Sequence, residues 1–152
     1  MNNTNTTWNY NDGGRSDAGY KGDCVTRAIA IATGLPYIQV YDRLAEGNAT
    51  QRSGKRERKS KSRHKVKTAS HGIFTKRKWF KDYMIELGFT WTATMGIGTG
   101  CKVHLKADEL PKGRIVCNVS KHCVAMIEGV VQDTHDCTRE GRRCVYGYWT
   151  VN

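Results

Sequence analysis

The sequence predicts an α+β fold in which N-terminal helices pack on a C-terminal antiparallel β-sheet. Three segments before residue 89 carry apolar residues at helical spacing, and short apolar runs separated by turn residues follow that point. Helices followed by a block of strands are typical of α+β proteins. The chain has 152 residues, which is the size of one domain, and we assign the whole range 1–152 to that domain.

Three helices are predicted in the first half of the chain. The first, CVTRAIAIATG, begins at Cys24 with Asp23 as a suitable N-cap and ends at Gly34. The second, PYIQVYDRLAEG, begins at Pro36 and stops at Gly47. The third, TKRKWFKDYMIELG, has an apolar stripe at helical spacing and a glycine at its end.

Two segments lack any apolar periodicity. Residues 1–21 are rich in Asn, Thr, Gly and Asp, and we expect an irregular arm there. Residues 47–67 hold nine Lys or Arg against one acidic residue, so this segment supplies +8 of the formal net charge of +11. Such a run is typical of a mobile, solvated segment.

The basic segment also has a functional interpretation, as a contact for nucleic acid or for an acidic protein partner. Its candidate binding residues are Lys55, Arg56, Arg58, Lys59, Lys61, Arg63 and Lys65. Trp79 and Trp91 could offer stacking surfaces for bases. Both tryptophans lie on periodic apolar faces, however, which favours a position in the core.

The second half predicts β-strands in FTWTAT, RIVCNVS, HCVAMI, VVQDT and CVYGYWTV. CKVHL is a short extended piece, and MGIGTG is a glycine-rich turn. Only Glu128 and Gly129 separate HCVAMI from VVQDT, which is typical of a two-residue hairpin turn. That turn pairs Met126 with Val131.

The hairpin also predicts a contact between two polar residues. With this register, side-chain alternation places His122 and Asp133 on the same face, within reach of one another. A bulge at the turn would shift the register and bring Asp136 to the histidine instead. An Asp that orients a His, and a His that takes a proton from a nucleophile, form a catalytic triad.

Cys24 is the candidate nucleophile. A cysteine at the start of a helix lies near free backbone N–H groups and the positive end of the helix dipole, and both stabilise the thiolate. Its own N–H can donate to an oxyanion. We therefore predict Cys24 as nucleophile, His122 as base and Asp133 as the orienting acid. The alternative is that Cys24 is a small buried residue and His122 a polar residue at the start of a strand.

These segments resemble the papain-like cysteine peptidase superfamily. GDCVTRAIAIATG followed by PYIQVYDRL is similar to the nucleophile helix, and KHCVAMIEGVVQDTHD is similar to the histidine strand, hairpin and acid strand. The resemblance extends to bacteriocin-leader peptidases, cell-wall amidohydrolases and small members found in bacteriophage genomes. It implies a papain-like fold and a cysteine hydrolase that cleaves a peptide or amide bond with Cys24, His122 and Asp133.

The sequence departs from that superfamily before the nucleophile. Many members place a Gln there to complete the oxyanion hole, whereas RSDAGYKGD contains neither Gln nor Asn. Tyr20 and Asp17 are the candidate substitutes, and Asn11 or a backbone group is the alternative donor. If the hole is incomplete, we expect an inactive papain-like fold that binds nucleic acid or an acidic protein through its basic segment.

The N-terminal sequence and the cysteines bear on location and cofactors. MNNTNTTWNYNDGG lacks the basic and apolar parts of a signal peptide, and no apolar run approaches a membrane span. We therefore expect a cytoplasmic protein (host cytoplasm if encoded by a bacteriophage) with free thiols and no membrane contact. Cys101 with His104 and His135 with Cys137 imitate zinc-ligand pairs, but their spacing fits no common site, so we expect no metal or cofactor.

Overall fold

The computed structural model describes residues 7–14, 23–50, 75–96 and 98–151. Within these ranges the chain forms an α+β fold, with three α-helices beside one six-stranded mixed sheet in the order β1-β5-β4-β3-β6-β2. No helix in the described part is long and apolar enough to cross a membrane. The elements are β1 Thr7–Tyr10, α1 Cys24–Thr33, α2 Tyr37–Thr50, α3 Lys78–Glu86, β2 Phe89–Ala93, β3 Arg114–Val119, β4 His122–Ile127, β5 Val130–Asp133 and β6 Val145–Val151.

The edge strand β1 corrects two predictions. It runs parallel to β5, with Thr7 beside Val130 and Tyr10 beside Asp133, whereas the other neighbouring strands are antiparallel. The sheet is therefore mixed, and the predicted irregular arm 1–21 is wrong for residues 7–10. Aromatic and β-branched residues suit a strand, but the pairing partner lies more than a hundred residues away and leaves no local pattern.

Helix α1 has the predicted bounds. It begins at Cys24, and Gly34 ends it with a φ of 76°, a left-handed conformation that glycine adopts without strain. Asp23 occupies the N-cap position, but its carboxylate makes no capping hydrogen bond and instead accepts one from the side chain of Arg27. The Asp23 side chain therefore forms an ion pair with Arg27 and does not cap the helix.

Helix α2 runs through Gly47 to Thr50, so the predicted stop at Gly47 is wrong. A Cβ atom at Gly47 would lie 2.2 Å from the ring of Trp79, which shows that the glycine allows close packing of this tryptophan against α2. The start of the predicted mobile segment 47–67 is therefore helical. Its remaining residues, including every lysine and arginine named above as a binding candidate, lie outside the described residues.

Apolar side chains cover both faces of the sheet. The helices pack on one face, where α1 lies against β4 and fully buried residues such as Ile29, Phe80 and Val116 form a core. On the opposite face, Val124 and Val131 pack in a second core. The N-terminus of α1 thus lies near the ends of β4 and β5, where the polar residues of the hairpin are found.

A disulfide joins Cys101 to Cys144, which corrects the prediction that the thiols are free. His104 forms an antiparallel bridge with Cys144, and this pairing brings the two cysteine Cα atoms to 5.8 Å, a usual distance for a disulfide. Cys101 is therefore not a zinc ligand. The free cysteines are Cys24, Cys117, Cys123 and Cys137.

Candidate active site

The β4–β5 hairpin has the predicted two-residue turn. Glu128 and Gly129 both have positive φ, at 50° and 82°, as a type I′ turn requires. Met126 pairs with Val131, so the predicted register is confirmed and no bulge shifts it.

His122 and Asp133 meet at the open end of this hairpin. Nε2 of His122 lies 2.7 Å from Oδ2 of Asp133, which confirms the predicted contact. Asp136, the alternative acid, accepts hydrogen bonds from the backbone N–H and the hydroxyl of Thr138 instead. Asp133 is 3% exposed and also accepts a bond from the N–H of Thr134 at 2.7 Å, so its carboxylate is fixed in place.

Cys24 occupies the first position of α1 and lines the same cavity as His122. His122 and the backbone of Cys123 are among the groups that lower the pKa of the Cys24 thiol, so both lie close to its sulfur. Cys123 is the residue after His122 on β4, so packing of α1 on this strand places the sulfur against both groups. The three residues predicted as nucleophile, base and acid are thus brought together.

The electrostatics favour a charged form of this cluster. Burial disfavours the Cys24 thiolate, but His122, the backbone of Cys123 and the charge of Arg27 together outweigh burial, so the pKa of Cys24 lies below its ordinary value. Burial alone would lower the pKa of His122, yet the neighbouring Asp133, Cys137 and Cys24 raise that pKa to about 11. Burial raises the pKa of Asp133, but His122, the backbone N–H of Thr134 and Cys137 together lower it to about 2.

Arg27 is a member of the site that the sequence did not reveal. It lies one helical turn after Asp23, is 7% exposed, and donates from Nη1 to Oδ1 of Asp23 at 2.7 Å. Its Nη2 reaches Oδ1 of Asp133 at 3.3 Å, and the hydroxyl of Tyr37 donates to the other oxygen of Asp23. In the sequence, a buried role for Arg27 is indicated by its position as a charged residue inside the otherwise apolar run CVTRAIAIA.

Cys137 is a second thiol beside the same groups. It is buried, and both His122 and Asp133 affect the pKa of its thiol. Burial raises its pKa above the ordinary value, against the opposing effect of His122. Cys137 is therefore a neutral thiol at neutral pH, and its pKa is shifted in the direction opposite to that of Cys24.

The groups that could hold a metal overlap with this cluster. His122, Asp133 and His135 each offer one ligand atom, and these atoms lie within 4.8 Å of one another. However, both oxygens of Asp133 already accept hydrogen bonds, one of them from the cationic Arg27. A cation there would have to displace the His122 bond and oppose the guanidinium charge, so the arrangement fits proton transfer better than metal binding.

A cavity of about 790 Å³ opens beside Cys24 and His122. Trp91 lines it and is 40% exposed, which corrects the prediction that this tryptophan belongs to the core. The glycine-rich segment is a turn as predicted, closed by a bond from the N–H of Thr99 to the carbonyl of Gly96, and it borders the cavity. The cavity therefore leaves room for a ligand beside Cys24.

The predicted oxyanion donors have different outcomes. Tyr20 and Asp17 lie outside the described residues. Asn11 donates its side-chain amide to Gln132 at 3.1 Å and does not line the cavity, so it is not the donor. The amide of Asn118 does line the cavity, where it donates to the hydroxyl of Thr75 at 3.3 Å. The backbone N–H of Cys24 belongs to the first turn of α1, where main-chain donors have no partner within the helix.

Comparisons of this chain with protein-family models, with curated proteins and with solved structures find no match.

Proposed function

We propose that this chain is a cysteine hydrolase that cleaves a peptide or amide bond. One observation carries the proposal: His122 contacts the buried carboxylate of Asp133 through Nε2, lines the same cavity as Cys24 and lowers the pKa of its thiol. A thiol, an imidazole and a carboxylate in that order form the arrangement that activates a sulfur nucleophile. The cavity beside the sulfur provides room for the acyl group.

The reaction follows from these contacts. The Cys24 thiolate attacks the carbonyl carbon, and the backbone N–H of Cys24 donates to the resulting oxyanion. The His122 imidazolium gives its proton to the leaving nitrogen, the C–N bond breaks, and an acyl-enzyme remains. His122 then takes a proton from water as the water attacks the thioester, which releases the acid and restores the thiolate and the imidazolium.

The resemblance to papain-like peptidases agrees with this proposal. A nucleophile helix comes first in the chain, then a histidine strand, then the strand that carries the acid. Membership of that superfamily is part of the proposal, as are a protein or peptide substrate and a cytoplasmic place of action.

The second candidate is an inactive fold of the same type that binds nucleic acid or an acidic protein. The +8 charge of residues 47–67 favours it. The two candidates differ in the state of Cys24, because a binding module has no need of a thiolate at neutral pH.

The test is the pH dependence of Cys24 alkylation by iodoacetamide, followed by peptide mass spectrometry. We expect selective labelling of Cys24 at pH values well below its ordinary pKa of 9.0, because the imidazolium stabilises the thiolate. The buried thiols Cys117, Cys123 and Cys137 provide internal controls.

Two variants decide whether His122 is responsible. His122→Ala should return the labelling profile of Cys24 to that of an ordinary thiol. His135→Ala is the matched control, since its ring lies 5.6 Å from His122 but makes no contact with the thiol in the described structure. Unchanged labelling in His122→Ala would move the assignment to the binding module.

A further inference from the structure

The floor of the cavity beside Cys24 is aromatic. The rings of Trp91 and Trp149 contact one another with centroids 5.0 Å apart, and Tyr146 lines the same space. Trp91 and Tyr146 are each 40% exposed. Large apolar side chains exposed in a concave surface beside a reactive group are typical of a ligand site. A volume of about 790 Å³ lies within the range of such sites, so it accommodates a bulky side chain with its adjoining backbone.

The charged side chains around this floor have one sign. Lys76 precedes α3, Lys81 lies on it, and Lys121 lies in the turn between β3 and β4; all three are exposed and line the cavity. Among the described residues, no acidic side chain lines the cavity and none of the three lysines is in an ion pair. Three like charges around one concave surface attract anions and repel cations.

We propose that this cavity selects substrates that carry both a large apolar group and a carboxylate close to the scissile bond. The inference rests on the proposed hydrolase function and names its substrate class. The apolar group fills the space over Trp91 and Trp149, and the carboxylate lies near Lys76, Lys81 and Lys121. A polyanion without an apolar group would meet only the lysines, so both parts of the ligand are required.

Peptidyl chloromethyl ketones test the proposal, because each alkylates an active-site cysteine after binding. Four probes separate charge from bulk: Ac-Glu-Phe, Ac-Gln-Phe, Ac-Lys-Phe and Ac-Glu-Ala chloromethyl ketone. We expect alkylation of Cys24 to be fastest with Glu-Phe and about tenfold slower with Lys-Phe at low salt, with Gln-Phe between them, since each exposed charge pair contributes a factor of up to about five. Glu-Ala should be about tenfold slower than Glu-Phe because it buries less apolar surface.

Substitutions in the cavity test which residues cause the preference for each probe. The triple variant Lys76→Gln/Lys81→Gln/Lys121→Gln should lose the preference for Glu over Lys. The control Lys78→Gln should keep it, because Lys78 pairs with Asp82 and does not line the cavity. Trp91→Ala should lose the preference for Phe over Ala. Equal rates with the Glu, Gln and Lys probes, or with Phe and Ala, would overturn the proposal.

The reaction with iodoacetamide separates this inference from the function on which it rests. A reactive Cys24 with no probe preference would leave the hydrolase intact and remove the substrate class. If Cys24 is unreactive, the hydrolase fails, and binding is then measured directly. Tryptophan fluorescence of Cys24→Ala would be titrated with Ac-Glu-Phe-NH₂ and Ac-Lys-Phe-NH₂. Tighter binding of the acidic peptide would support the selectivity of the cavity, and equal or absent binding would overturn it.

Discussion

Nη2 of Arg27 lies 3.3 Å from Oδ1 of Asp133, so the helix that begins at Cys24 also holds the buried carboxylate of β5. Arg27 lies one turn beyond the start of α1, and its other nitrogen binds Asp23 immediately before Cys24. One buried guanidinium thereby connects the residue before Cys24 with the carboxylate that contacts His122. A planar group with two donor positions suits this bridge between two carboxylates.

Arg27→Met should destabilise the protein by about 3 kcal/mol, because removal of one partner leaves buried carboxylates without their counter-ion. Arg27→Lys should have a smaller effect, since an ammonium keeps the charge but not the two-pronged geometry. Urea unfolding at neutral pH measures both changes. Arg27 is also among the groups that lower the pKa of Cys24, after burial and His122, so the alkylation profile of Arg27→Met should shift to higher pH.

The surface pair of Lys78 and Asp82 provides the control for Arg27. Lys78→Met removes an ion pair of 2.8 Å whose side chains are largely exposed, and such pairs contribute less than about 1 kcal/mol. If Arg27→Met lowers the free energy of unfolding no more than Lys78→Met does, the buried bridge does not stabilise the fold.

The ion pair of His122 and Asp133 should make stability depend on pH. The pKa of His122 rises from 6.5 to about 11 on folding, so its contribution is complete below pH 6.5 and declines as pH rises through the folded value. The pKa of Asp133 falls from 3.8 to about 2, so its contribution is complete above pH 3.8 and is lost as pH falls through 2. The pair is therefore fully stabilising between about pH 4 and 6.5.

The measurement uses a Cys24→Ala background, so that titration of the thiol does not contribute. The free energy of unfolding in urea is compared between Cys24→Ala and Cys24→Ala/His122→Gln from pH 4 to pH 10. We expect a constant difference up to about pH 6.5 and a steady decrease above it. A difference that stays constant to pH 10 would contradict the raised pKa of His122.

The parts of the site that depend on residues close together in the chain could be predicted from the sequence. A two-residue Glu128-Gly129 turn sets the hairpin register, and the register alone places Asp133 beside His122. The start of α1 at Cys24 followed from the change in apolar periodicity and from Gly34 at its end. In each case the physical cause lies within about ten residues along the chain, on the scale of a single helix or hairpin.

The features that sequence did not reveal depend on contacts between distant segments. β1 forms because the outer edge of β5 pairs with it, and Cys101 meets Cys144 because two extended pieces lie side by side. Trp91 falls on an apolar pattern typical of a core residue, yet it is 40% exposed and lines a cavity. Gly47 is predicted to end a helix, but it lies inside α2, where the absence of a side chain leaves room for the ring of Trp79.

The disulfide between Cys101 and Cys144 should contribute about 2–4 kcal/mol to stability, because it closes a loop with a sequence separation of 43 residues and restricts the unfolded chain. Urea unfolding with and without a reducing agent measures this contribution. The double variant Cys101→Ser/Cys144→Ser should equal the reduced wild type and should not respond to the reducing agent. Equal stability of oxidised and reduced wild type would show that the bridge constrains nothing in the unfolded state.

Gly147 should be indispensable for the position of Trp91. A Cβ atom at this residue would lie 2.3 Å from two ring carbons of Trp91 and 3.0 Å from the carbonyl oxygen of Thr92, so Gly147→Ala must displace the indole. We expect a loss of about 1–3 kcal/mol from this overpacking, measured by urea unfolding, together with a change in tryptophan emission. In a Trp91→Ala background the same substitution should cost much less, since the clashing ring is absent. A double-mutant cycle gives the coupling free energy, and equal costs in both backgrounds would mean that Gly147 does not determine where the aromatic floor of the cavity lies.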